Sequence, residues 1–166
     1  MIYTNILMSD YLDFNEAKIK KTKLDKKLNT VLENGFILVG DCIFLKSIYP
    51  SNYDRLIIKE EDIKEQFVDF SGYEYSTNKF HIEDFTDQDP FIQSIIFSGK
   101  FKEKWIAEFP HISCTILISF QDDEIGQFAT FTFYKYRKNE VVFELDNLED
   151  VMQPLYIEKI SKANHL

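Results

Sequence analysis

The stretch Ile112-Ser113-Cys114-Thr115-Ile116-Leu117-Ile118-Ser119 (residues 112–119) decides the fold class. Ile112, Cys114, Ile116 and Ile118 alternate with Ser113, Thr115, Leu117 and Ser119. A period of two places successive side chains on opposite faces of a strand. Residues 128–136 and 141–145 follow as strands, separated by turn-like residues 121–126 and 137–140. Connections this short join antiparallel neighbours, so the C-terminal part predicts a three-stranded meander.

Helices are expected on both sides of it. Asp146-Asn147-Leu148-Glu149 caps a closing helix that turns Leu148, Val151, Met152 and Leu155 inward, and Pro154 kinks or ends it. Upstream, Asp89-Pro90 pairs an N-cap acid with Pro at the first helical position. Gly99 is expected to interrupt that helix. A second one then carries Phe101, Trp105 and Phe109 at four-residue spacing until Pro110.

The first half reads as a mixture. Residues 1–8 are apolar, too short and too poor in basic residues for a secretory signal, and read as a strand. Thr22-Lys23-Leu24-Asp25 has capping-box form, and Leu24, Leu28, Val31 and Leu32 recur at helical spacing until Asn34-Gly35. This N-terminal helix starts there, or earlier near Asn15 or Glu16. Residues 36–39 and 42–45 form two paired strands around Gly40-Asp41. A loop at 49–52, a short strand at 55–58 and a helix at 60–67 come next. Residues 68–75 alternate like a half-buried strand with 80–85 as partner, and the tail from 161 frays.

The sum is one α+β domain over residues 1–166: a mainly antiparallel sheet packed by an N-terminal helix, a central Trp-containing helix and a C-terminal helix. Its 166 residues are 45% hydrophobic, with 5 Gly and 4 Pro, which suits a globular chain with a substantial core. The aromatic residues are 16 Phe, 9 Tyr and 1 Trp, so that core is rich in rings. No apolar run reaches the roughly 18 residues of a membrane span, and no membrane association is expected. A net charge of −9 argues against nucleic acid as the partner. Cys42 and Cys114 lie in strand-like contexts and read as buried free thiols, with a disulfide as the alternative. The chain reads as cytoplasmic.

Catalytic patterns are missing. His81, His111 and His165 have no metal-ligand spacing to another His, Cys or carboxylate, and no Gly-x-Ser-x-Gly elbow occurs. His111 and Cys114 are three apart and on a strand would face opposite ways. The five glycines are scattered and build no phosphate-cradling loop. No cofactor and no metal are expected.

Charge distribution is more informative. Residues 11–34 hold six lysines against four acids. Residues 54–90 hold eleven acids against four basic residues, and residues 121–150 eight against three. Lys20, Lys23 and Lys27 give the first helix a basic outer face beside its apolar stripe. The acids cluster at Glu60-Glu61-Asp62, at Glu83-Asp84 with Asp87 and Asp89, and at Asp122-Asp123-Glu124. A solvated surface that aids solubility accounts for such clusters. So does an electrostatic lure for a cationic protein, which raises the on-rate and imitates a phosphate backbone. On that second reading Glu83, Asp84, Asp87, Asp122, Asp123 and Glu124 contact the partner, with Tyr73 and Tyr75 as aromatic anchors.

In its segment Lys104-Trp105-Ile106-Ala107-Glu108-Phe109-Pro110, residues 112–145 and the helix from Asp146, the chain resembles bacterial toxin-immunity proteins of the polymorphic-toxin and contact-dependent-inhibition kind. The likeness is one of character: a small, acidic, aromatic-rich α+β domain. It implies stoichiometric binding to one cognate toxin domain, often a basic nuclease, by a monomer or weak homodimer in the cytoplasm. Two other classes stay open. One is a dimeric chaperone for a secreted effector, and the other a small enzyme using carboxylates.

Overall fold

A computed structural model describes residues 1–49 and 59–161. The expected strand at 55–58, part of the loop at 49–52, most of the fraying tail and His165 lie outside them. Five strands, β1 (Ile2–Thr4), β4 (Phe80–His81), β5 (Cys114–Asp123), β6 (Gly126–Lys135) and β7 (Leu155–Ile160), form one sheet in the order β1-β7-β5-β6-β4. Every neighbouring pair is antiparallel. β2 (Phe36–Val39) and β3 (Cys42–Leu45) make a separate hairpin. The helices are α1 (Ile6–Lys21), α2 (Lys26–Glu33), α3 (Glu60–Phe67), α4 (Phe70–Thr77) and α5 (Pro90–Glu108). The α+β class and the mainly antiparallel sheet are therefore as the sequence predicts.

β5 is central, and its alternation serves two buried faces. Cys114, Ile116, Ile118 and Phe120 point into the main core, beneath α1, α2 and α5. Leu117 joins Leu155 and Ile157 on the reverse face, covered by Phe143, Leu145, Leu148 and Val151. The main core is aromatic: Phe101 lies 4.7 Å from Phe133, and Phe97 lies 4.8 Å from Phe131 in an edge-on contact. Rings at these separations gain about 0.5–1.5 kcal/mol per pair beyond the area they bury. The Trp105 indole N–H donates to the Ile112 carbonyl at 2.8 Å, so this fully buried ring keeps its polar atom satisfied.

Several expected elements move. The third C-terminal strand is β7 rather than 141–145, and it pairs with β5 on the side away from β6. Residues 141–145 instead help cover the sheet. The closing helix reduces to short 3₁₀ turns within Leu145–Asp150, broken at Asn147, while Met152 is 95% exposed and Leu155 is inward only as part of β7. Leu155, Tyr156, Ile157 and Glu158 are all buried, so a strand covered on both faces loses the alternation that would mark it.

Gly99 does not interrupt α5, which runs unbroken for 19 residues. A helical glycine costs about 1 kcal/mol, less than burial of Phe91, Phe97, Phe101 and Trp105 on one continuous face returns. At the N-terminus the strand stops at Thr4, and Asn5 caps α1 by accepting from the Met8 N–H. Thr22 ends α1, and Asp25 rather than Thr22 caps α2. The predicted strand at 68–75 is α4, because Asp69 accepts from the Gly72 N–H at 2.7 Å and starts a helix. What α4 buries is largely polar, Ser71, Glu74 and Thr77, so hydrophobic periodicity could not reveal it. Its expected partner at 80–85 splits into β4, which pairs with β6, and a 3₁₀ turn, Ile82–Phe85.

Candidate functional site

Antiparallel pairing brings two acid clusters, about forty residues apart in sequence, to one end of the sheet. β5 and β6 pair from Cys114↔Lys135 to Asp123↔Gly126, leaving Glu124-Ile125 at the tip. β4 pairs antiparallel with β6, setting His81 opposite Thr130, so the chain leaves β4 toward that tip. The Glu83 carboxylate then accepts from the Ala129 N–H at 3.0 Å and lies 3.2 Å from His81 Nδ1. From Ala129 to the start of β6 at Gly126 is three strand residues, roughly 10 Å. Phe91, just past Asp89, lies 5.1 Å from Phe120, which puts the start of α5 at the same end.

These acids are held in different ways. Asp123 fixes the hairpin turn: its carboxylate accepts from the side-chain amide of Gln121, from Ile125 N–H at 2.8 Å and from Gly126 N–H at 3.3 Å. Those donors hold its carboxyl below the ordinary range. Asp122 accepts from Tyr11 Oη and Gln127 Nε2, both at 3.2 Å. Burial first and the Asp122 charge second raise the Tyr11 phenol. Glu124, Asp84 and Asp87 are exposed, and Asp89 is the N-cap of α5.

The loop carrying Asp84 and Asp87 is anchored beneath. Ile82 is fully buried, and the Thr86 hydroxyl donates to Asp25 at 2.9 Å. Gln93, also fully buried, accepts from the Asp25 N–H and donates to the Lys23 carbonyl and to Gln88 Oε1. The Lys27 N–H, then the Thr86 hydroxyl, hold the Asp25 carboxyl below its ordinary value. Six of the eight residues picked from sequence thus share one end of the sheet.

The two tyrosines do not join them as surface anchors. Tyr73 is 2% exposed in a second small core, 5.2 Å from Phe44 and 5.1 Å from Phe67. Tyr75 is half-buried on the reverse face of the sheet, with the Lys79 ammonium 4.6 Å over its ring. Both are packing residues because their segment is a helix and not an exposed sheet face.

A second polar constellation had no signal in the sequence. Glu74, wholly buried, accepts from the Ile43 and Lys135 N–H groups and from both terminal nitrogens of Arg137. Burial raises its carboxyl against the pull of that guanidinium. Asp41 pairs with Lys135 at 2.8 Å and with Arg137 at 3.2 Å, and Glu140 binds the Ser71 hydroxyl and N–H. A cavity of about 450 Å³ opens beside it, lined by Asp41, His111, Ile112, Ser113, Lys135, Tyr136 and Arg137. Both lining cations are matched by carboxylates, so the cluster works as a clamp holding the β2–β3 hairpin and α4 onto β6. Glu74 was hidden because no sequence spacing marks acids at 41, 74 and 140 as partners of Lys135 and Arg137.

Neither cysteine is disposed for nucleophilic chemistry. Cys42 and Cys114 are free and 1% exposed. Burial, then the Glu74 charge, pushes the Cys42 thiol up to about 12, and burial pushes Cys114 up as well. Among the described residues no group of three or more His, Cys, Asp or Glu side chains is placed to hold a metal ion. None of the described helices is long and apolar enough to cross a membrane.

Residues 3–165 match the family described as the uncharacterized protein PM0498 family. Uncharacterized protein PM0498 of Pasteurella multocida (strain Pm70) is 38% identical over 161 residues, which are 97% of this chain and 100% of that protein. No solved structure matches the chain.

Proposed function

The chain belongs to the PM0498 family, and we propose, on the placement of its acidic residues, that it is an immunity protein, a cytoplasmic inhibitor of a cognate bacterial toxin domain. The observation that supports this reading is the gathering of Glu83, Asp84, Asp87, Asp122, Asp123 and Glu124 at one end of the sheet. Such a surface attracts a basic groove over distance and then fills the place of phosphates within it. Backbone hydrogen bonds at Glu83 and Asp123 fix the two loops before any partner arrives, which lowers the ordering entropy of binding. A basic nuclease domain has the matching electrostatic character.

The test is expression of the reading frame immediately upstream of the gene, alone and together with this protein. Growth arrest relieved by co-expression, with relief lost in the variant Asp84→Lys/Asp87→Lys/Glu124→Lys, is the expected result. Those three side chains are exposed, and no turn or cap depends on them. No arrest, or relief that survives the triple reversal, overturns the reading. A neighbour that is harmless and becomes soluble only with this protein would instead mark a chaperone.

A further inference from the structure

The N-terminal helix carries a surface whose pattern is complementary to itself. α1 turns Met8, Leu12, Asn15 and Ile19 inward. Along one outer flank, at separations of three and four residues, run Leu7, Asp10, Phe14, Ala17, Lys18 and Lys21, all exposed. Phe14 is 83% exposed and stands near the midpoint of this 16-residue helix. The flank is acidic before it, at Asp10, and basic after it, at Lys18 and Lys21. Among the described residues these three have no ion-pair partner, whereas Glu16 and Lys20, off this flank, neutralise each other.

We infer that this flank pairs with a second copy of the chain, two α1 helices packing antiparallel about a twofold axis through Phe14. A twofold interface must present one patch that complements itself. An axis at Phe14 sets residue 14 − n opposite residue 14 + n of the other copy. Asp10 then faces Lys18, Leu7 faces the aliphatic stem of Lys21, and Ala17 leaves room beside the two central rings. The same pattern disfavours other occupants. A polybasic or polyacidic partner would meet like charge over half the flank. A lipid surface asks for a broad apolar face with a basic rim, and here one ring stands between charges of both signs. None of these residues belongs to the acidic group proposed to bind a toxin, so the two readings stand or fall separately.

A helix of 16 residues is about 24 Å long, so a contact confined to one such helix from each copy belongs with small, weak interfaces. Sedimentation velocity of the full chain from about 1 to about 100 µM tests it. The expected result is a mass that moves from one chain toward two. Phe14→Glu should weaken association by about tenfold or more, with an unchanged circular dichroism spectrum because the side chain is exposed. Asp10→Lys and Lys18→Asp should each weaken it, and the double variant Asp10→Lys/Lys18→Asp should restore it. A monomer at every concentration overturns the proposal. So does a dimer indifferent to Phe14→Glu, or a double variant no better than its parents.

Discussion

Arg137 closes on Glu74 inside the protein: guanidinium Nη1 lies 2.9 Å from a carboxylate with no exposed surface, and Nη2 lies 3.2 Å from its other oxygen. Glu74 belongs to α4 and Arg137 follows β6, while the same carboxylate receives the Ile43 N–H of β3. One ion pair therefore joins three elements. A buried pair adds little net stability over an apolar replacement, yet breaking it strands a charge.

Arg137→Met should lower unfolding free energy by about 3–5 kcal/mol, read from urea midpoints. Glu74→Gln/Arg137→Met, which removes both charges and keeps a side-chain acceptor among the Ile43 and Lys135 N–H groups, should lose clearly less than Arg137→Met alone. A loss in the double variant equal to the sum of the two single losses would mean that the two residues are not coupled.

Asp41 gives the acid side of the stability profile a definite sign. Burial raises its carboxyl, but hydrogen bonds and charges from Lys135 and Arg137 outweigh burial and hold it below its ordinary value of 3.8. A carboxyl depressed by folding contributes stability above its unfolded value and loses it as pH falls through the folded one. The stability gap between wild type and Asp41→Asn should therefore be full at neutral pH and close below about pH 4. A gap that widens with acid would contradict the ion-pair geometry.

The α3–α4 junction is strained at one residue and crowded at another. Val68 holds φ +72° at the end of α3, a region that disfavours β-branched side chains, and it is 82% exposed. Val68→Gly should raise stability by a few tenths to about 1 kcal/mol, relief of strain exceeding the added chain entropy. At Gly72 an added Cβ would meet the Phe67 carbonyl oxygen at 2.3 Å. Gly72→Ala should thus destabilise on the order of 1–3 kcal/mol. Thermal melts of the two variants should move in opposite directions.

Cys42 and Cys114 should resist a thiol reagent such as dithionitrobenzoate in the native protein at pH 8 and react fully on unfolding in urea. Their burial and raised thiol values leave little thiolate. Rapid labelling of either one in the folded state would show that its strand opens locally.

Much of the fold was legible in the sequence where local chemistry and burial agree. The β2–β3 hairpin around Gly40-Asp41, the short helix Glu60–Phe67, the start of α5 at Asp89-Pro90 and the β5–β6 pair all stand where their patterns put them. The acids of the candidate site were equally visible, since clustered charge needs no tertiary context to be seen. What failed was the reading of segments buried on both faces or buried through polar groups. β7 hides its alternation because Tyr156 and Ile157 are both covered, and α4 hides its periodicity because Ser71, Glu74 and Thr77 fill its inner face.

By itself the sequence determined the α+β class, the aromatic core and the sign of the surface, since each follows from composition and from patterns a few residues long. Only the tertiary structure decided that β7 inserts beside β5, that Tyr73 is core and not anchor, and that Glu74 meets Arg137 across 63 residues of chain. These depend on which distant segments desolvate one another. That outcome is set by packing and by the requirement that every buried charge and backbone group find a partner, neither of which any short window of sequence contains.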